Sequence, residues 1–315
     1  MNKVRVGVIG VGYLGKFHAE KYAGIPEVEL VGLVDADSPH TSQLAGKLKT
    51  QAFTDPAHLL GKVDAVSIVV PTVLHHRIAK QFLGHGIHVL LEKPMTVSLE
   101  QADELIDLAA RRGMILQVGH IERFNPSLTA IKGLIKVPRY IISERAAPFT
   151  VRCTDVNVVL DLMIHDLDIV MDLAGSAPKE VSAVGVSIIT REIDIASARI
   201  IFQDGCIADV TASRVSDEKK RLLRVFDEHA IYTSDYQTQK ATVSRNQPGP
   251  VPHLITEDIS SDRRDTLEDE IRAFVKSVQN GIRPLVSGIE GRRALALASI
   301  ITENINKGRN GFVPV

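Results

Sequence analysis

The segment Gly10-Val11-Gly12-Tyr13-Leu14-Gly15 constrains this chain more than any other, because of what stands on either side of it. Before it, residues 4–9 read as a buried β-strand; after it, residues 15–24 read as a helix. In such a strand–turn–helix unit the first glycine permits the tight bend, the second lets an anion approach the backbone, and the third lets helix pack close on strand. The helix N-terminus then offers free amides to phosphate oxygens. About 20 residues further on, Asp35 ends a second strand, where a carboxylate can accept hydrogen bonds from ribose hydroxyls. Gly10, Gly12, Tyr13, Leu14, Gly15 and Asp35 therefore form a candidate dinucleotide site. Asp35 favours NAD over NADP, since a 2′-phosphate would meet its charge and that of Asp37 with no arginine directly after it.

From residue 3 to about 120, short β-branched runs alternate with helical patterns, the signature of a parallel sheet with crossover helices. Strands are expected at 28–34, 51–53, 65–70, 87–91 and 115–118, with helices over 38–48, from Thr72, and over 98–112 with Ser98 as cap. After Gly119 the pattern changes. Asn125-Pro126 starts a helix over 127–135, followed by a strand at 140–145, a helix at 160–173 and a strand-rich stretch over 181–243. Residues 246–250 read as a loop, and helices at 266–280 and 289–306 complete the chain. The expected fold is an α/β Rossmann domain, a doubly wound parallel sheet over 1–121, plus an α+β C-terminal domain over 122–315. The latter has an open, mainly antiparallel sheet with helices on one face.

Lysine and arginine (37) nearly balance aspartate and glutamate (38), so no broad positive field attracts a nucleic-acid backbone. The two cysteines, Cys153 and Cys206, lie in no CxxC spacing, which points away from a disulfide framework and toward a reducing compartment. No apolar run approaches the roughly 20 residues that span a bilayer, and nothing at the N-terminus resembles a signal peptide. The expectation is a cytoplasmic protein with neither nucleic-acid nor membrane partner.

Two motifs carry candidate chemistry. Glu92-Lys93-Pro94 ends a strand at the carboxyl edge of the sheet, where doubly wound folds bind ligands. An ammonium beside an apolar pocket loses hydration, which favours the neutral amine and makes Lys93 a candidate proton acceptor; a surface lysine covering apolar ground is the alternative. Asp161 and His165 stand four apart on a helix and project from one face, an arrangement suited to moving a proton, though by itself such a pair is usually a helix-surface interaction. Asp166 and Asp168 fall on other faces with no His or Cys cluster to complete a site, so no metal is expected.

Taken in order, the glycine turn, Pro71-Thr72 with His75, Glu92-Lys93-Pro94, Gly119-His120 and Asp161-Leu162-Met163-Ile164-His165 resemble the glucose-fructose oxidoreductase, inositol dehydrogenase and MocA family. The resemblance spans nearly the whole chain. It implies an NAD-dependent oxidoreductase moving hydride between a ring carbinol of a sugar or sugar nucleotide and the nicotinamide, with Lys93, Asp161 and His165 as catalytic residues. Pro71, Thr72, His75, Glu92 and Lys93 would join the cofactor site, although a helix-start role suits His75 as well. Lys93, His120, Arg123, Asn157, Asp161 and His165 would bind substrate, and a homodimer or homotetramer would form through the C-terminal sheet. Many members have glycines before the helical aspartate; this chain has Val158-Val159-Leu160, so its substrate pocket differs there. The stretches 118–126 and 161–168 are similar to bacterial members acting on the 3-hydroxyl of UDP-N-acetylglucosamine. Arg123, Arg145 and Arg152 could then meet a diphosphate, or instead pair with acids such as Glu122 and Glu144. Two other readings use the same nucleotide site: a non-catalytic NAD(H) sensor, and a sugar–sugar oxidoreductase that retains its cofactor.

Overall fold

The computed structural model describes residues 3–150, 156–248, 251–259 and 262–311. The chain divides into two compact units, Met1–Ile121 with Asp265–Arg292, and Glu122–Arg264 with Arg293–Val315.

The first unit is built on six parallel strands, β1 (Val4–Ile9), β2 (Val28–Val34), β3 (Gln51–Phe53), β4 (Ala65–Ile68), β5 (His88–Glu92) and β6 (Leu116–Gly119), in the order β3-β2-β1-β4-β5-β6. Parallel neighbours need crossovers, supplied chiefly by α1 (Tyr13–Gly24), α2 (Ser38–Leu48), α3 (Thr72–Gly84) and α4 (Leu99–Arg112). Strand order reverses between β1 and β4, which opens a crevice at their carboxyl ends. Local signals place the helix ends: Asp37 accepts from His40 N, Ser98 from Gln101 N, and Gly113 leaves α4 at φ +66°.

Residues 265–292 had been expected in the second domain. They pack with the first instead, because α7 (Thr266–Asn280) has an apolar stripe that needs a partner. Its Ile271, Phe274 and Val275 join Val6, Val8, Tyr22 and Leu33 in one core. Asp265 caps the helix on Glu268 N and pairs with Lys21 of α1 at 2.5 Å.

The second unit has eight strands, β7 (Tyr140–Ala146), β8 (Pro178–Val186), β9 (Ile195–Phe202), β10 (Ile207–Ser213), β11 (Lys220–Phe226), β12 (Ala230–Asp235), β13 (Lys240–Gln247) and β14 (His253–Ile259). They lie in the order β14-β13-β12-β11-β7-β10-β9-β8, antiparallel except for β7 beside β10. Ala208, Val210 and Ala212 of β10 share a core with Ile164, Leu167 and Val170 of α6 (Ile164–Ala174) and with Leu128 and Ile131 of α5 (Pro126–Lys132). Two expectations need correcting. Asn246 and Gln247, read as loop, pair with β14; that strand leaves every side chain from His253 to Asp258 exposed, so no alternation marks it. The helix expected over 160–173 opens as a π-helical turn, Val159–Met163, before continuing as α6. The last helix, α8, runs Gly288–Gly311. Among the described residues no helix is long and apolar enough to cross a membrane, and no group of His, Cys, Asp and Glu could hold a metal ion.

Candidate active site

In the first unit the glycine turn leaves β1 with Gly10 at φ +85°, a left-handed conformation that disfavours any side chain. A Cβ there would fall 2.4 Å from Val69 O, and one on Gly15 would fall 1.8 Å from Gly10 O, so both positions are closed to other residues. A Cβ on Gly12 would meet nothing within 4 Å: that glycine faces open space and caps α1 with no side chain over the first-turn amides. Tyr13 and Leu14, on that first turn, are exposed. Asp35 is held by two backbone donors, Val11 N to Oδ2 at 2.8 Å and Asp37 N to Oδ1 at 3.1 Å, and each oxygen keeps lone-pair capacity for a ribose hydroxyl.

These groups border a cavity of about 370 Å³, which Gly10, Gly12, Asp35, Pro71, Leu74 and Arg77 help to line. An uncluttered helix start, an oriented carboxylate and an apolar wall fit NAD, which the resemblance implies. Arg77, Leu74 and His40, whose Nε2 lies 3.2 Å from Val11 O, were not singled out from the sequence. Their spacing is that of ordinary helix faces, and only the fold brings them to the turn.

Pro71 lines the cavity and half-buried Thr72 opens α3, but His75 turns away from it. Its ring is buried, with Nδ1 2.9 Å from Pro94 O and Nε2 2.8 Å from Val70 O, so it braces the Lys93-Pro94 turn. Glu92, also expected at the cofactor, is engaged inside the unit. Its carboxyl points into the unit, 3.2 Å from His18 Nε2 and accepting Lys93 N at 3.2 Å. Lys93 is half-buried just past the carboxyl end of β5, and His120, two residues beyond Val118 on β6, is buried.

In the second unit Asp161 sits in the π-helical turn and His165 in the first turn of α6. A π-turn widens a helix locally and recurs at functional sites, because it redirects side chains off the regular ladder. Asp161 Oδ2 lies 3.8 Å from Arg214 Nη2, whose guanidinium also donates to Val156 O at 2.8 Å. Arg214, on the chain just past β10, carried no sequence signal. Asn157, expected at the substrate, spends its Oδ1 on Leu160 N at 3.0 Å, capping the turn that carries Asp161.

Arg123 and Arg145 do not stand free to meet a diphosphate. Both are buried, and a buried cation must be paired. Arg123 binds Asp168 (Nε to Oδ2, 2.6 Å) and Asp172, which lie one turn apart on α6. Arg145 binds Asp166 (2.6 Å) and Glu122 (3.0 Å), and Ser143 donates to Asp166. The expected pairing with Glu122 is thus real but internal, while Glu144 pairs with Lys220. Asp172 is pushed up by burial and pulled down more strongly by Arg123 and Lys132, ending below its ordinary range. Arg152 and Cys153 lie outside the described residues.

Residues 4–120 match the family model described as the oxidoreductase family, NAD-binding Rossmann fold, and residues 153–315 match that of the oxidoreductase family, C-terminal alpha/beta domain. UDP-N-acetylglucosamine 3-dehydrogenase of Acidithiobacillus ferrooxidans is 38% identical over 302 residues, covering 95% of this chain and 96% of its own. A solved structure of that enzyme superposes with a TM-score of 0.93 over 98% of this chain and 99% of its own, at 37% identity. Myo-inositol 2-dehydrogenase of Thermotoga maritima is 27% identical, with 98% of both chains covered. Levoglucosan dehydrogenase, solved with NADH and levoglucosan, shares the fold at a TM-score of 0.88, covering 97% of this chain and 98% of its own at 17% identity.

Proposed function

Because the chain belongs to the NAD-binding oxidoreductase family of glucose-fructose oxidoreductase, inositol dehydrogenase and MocA, we propose that it oxidises the 3-hydroxyl of UDP-N-acetylglucosamine. It is an NAD-dependent dehydrogenase acting on CH–OH groups. The observation that carries the finer reading is full-length similarity to an enzyme of that activity, running through the substrate-binding half as well as the Rossmann half.

When bound, the nicotinamide supplies the acceptor for the hydride leaving the carbinol carbon. The remaining work falls to side chains. Asp35 takes the adenosine ribose, and the α1 amides beyond Gly12 take the pyrophosphate. Lys93 and His165 hold the reacting hydroxyl and remove its proton as the carbon is oxidised to a ketone. Asp161, steadied by Arg214, takes a neighbouring hydroxyl. Since Arg123 and Arg145 are committed to internal acids, the nucleotide diphosphate is met by other groups.

The test is a panel following NADH absorbance with NAD or NADP against UDP-N-acetylglucosamine, other UDP-sugars, inositol and free sugars, on wild type, Lys93→Ala and His165→Ala. We expect NAD reduction with UDP-N-acetylglucosamine, reduced about 10²- to 10⁴-fold in either variant while NADH still binds. Turnover of inositol alone would overturn the substrate, and unimpaired variants would overturn the residue roles.

A cytoplasmic setting suits the reading, since Cys206 is a buried free thiol. The same reading pairs second-unit sheets into a dimer or tetramer.

A further inference from the structure

Beneath the Lys93 turn, the first unit encloses polar side chains that the proposed chemistry does not use. Glu92 Oε1 lies 3.2 Å from Nε2 of fully buried His18 on α1, and Oε2 accepts the Lys93 amide. His18 Nδ1 lies 3.3 Å from Ser67 Oγ on β4, which is 2.9 Å from the Tyr22 hydroxyl. Gly119 on β6 leaves the carboxyl its seat: a Cβ there would fall 2.8 Å from Oε1. Gln117, also on β6, donates to Glu270 O, and Glu270 of α7 is fully buried with no hydrogen-bond partner for either carboxyl oxygen among the described residues.

Two buried carboxyls in one cluster cannot both ionise cheaply. Burial, then the nearby Glu92, raises Glu270 well above its ordinary value, so Glu270 is the neutral acid. Burial also works against an ionised Glu92, but His18 and then Lys93 outweigh it and hold its carboxyl below the usual range. The anion thus sits directly behind Lys93. The turn is braced from both sides, by Glu92 on the Lys93 amide and by His75 on Pro94 O, which fixes the root of a flexible four-carbon stem.

We propose that Glu92 is a positioning residue for Lys93: its carboxylate, seated against His18, fixes the Lys93 amide and places a buried negative charge at the root of that side chain. This deepens, and rests on, the assignment of Lys93 to the proton transfer. The charged or titratable groups facing Glu92 are His18 on α1, His75 on α3, Glu270 on α7 and Lys93 itself, and Tyr22 of α1 stands on the far side of Ser67.

A readout that needs no substrate separates this inference from the substrate reading. Acylation of amines by an anhydride reagent across a pH series, quantified by peptide mass spectrometry, reports where Lys93 becomes reactive, with exposed Lys136 as internal control. Glu92→Gln keeps the shape and an acceptor for the amide but removes the charge. Its Lys93 midpoint should fall by about one pH unit, Lys136 should not move, and Glu92→Asp, which keeps the charge, should stay with wild type. An unmoved midpoint in folded Glu92→Gln, or equal shifts in both variants, overturns the proposal. Should Glu92→Gln fail to fold, Gly119→Ala, whose methyl displaces the carboxyl, must move the midpoint; no movement there overturns it equally. Absence of turnover with every sugar would count against the substrate alone and leave this measurement standing.

Discussion

Asp35 is proposed as a cofactor residue because its place fits local spacing: a strand end about 20 residues past a glycine turn. Its two backbone donors orient the carboxylate before any ligand arrives, so removal forfeits prearranged hydrogen bonds to a charged acceptor. Asp35→Ala should weaken NADH binding by about 1.5 to 3 kcal/mol, roughly ten- to a hundredfold, in a fluorescence titration. Unchanged affinity would mean the ribose lies elsewhere. The internal partners of His75, Glu92 and Arg123 were not legible, for a shared reason. Their positions along the chain are those of ligand-contacting residues, but each side chain turns inward to a partner distant in sequence, namely Pro94, His18 and Asp168. Pairing across such separations leaves no periodic trace.

Elements were readable where they declare their own ends. Asn125 and Ser98 each accept a backbone N–H at the helix start expected of them. They were unreadable where tertiary context decides: α7 is amphipathic by its own pattern, yet nothing in that pattern says whose core receives Phe274. The π-helical turn is a similar case, since Val158-Val159-Leu160 would suit a regular helix. What locks α6 onto its sheet is charge as well as apolar contact. Arg145 on β7 ties Asp166 of α6 to Glu122, and those acids lift the guanidinium above its ordinary range despite a burial that opposes it. Arg145→Met leaves buried Asp166 without its cation and Glu122 with only Arg221, at 3.5 Å, and should cost about 3 to 5 kcal/mol in denaturant unfolding. A loss below about 1 kcal/mol would show that the cluster rearranges around the gap.

At the scale of the whole molecule, β8 and the loop beyond it expose Val184, Val186, Ile188 and Ile189 at the rim of an open sheet. A dimer or tetramer through that sheet predicts that Val184→Lys with Ile188→Lys lowers the mass seen by light scattering; a wild-type monomer would contradict it. The central proposal gives Lys93, Asp161 and His165 roles in one reaction. A crystal structure with NADH and UDP-N-acetylglucosamine addresses it most directly. The account predicts Lys93 Nζ and a His165 ring nitrogen within about 2.6 to 3.2 Å of one sugar oxygen, the 3-hydroxyl, with its carbon facing the nicotinamide. A complex in which either side chain meets no atom of the sugar would contradict it.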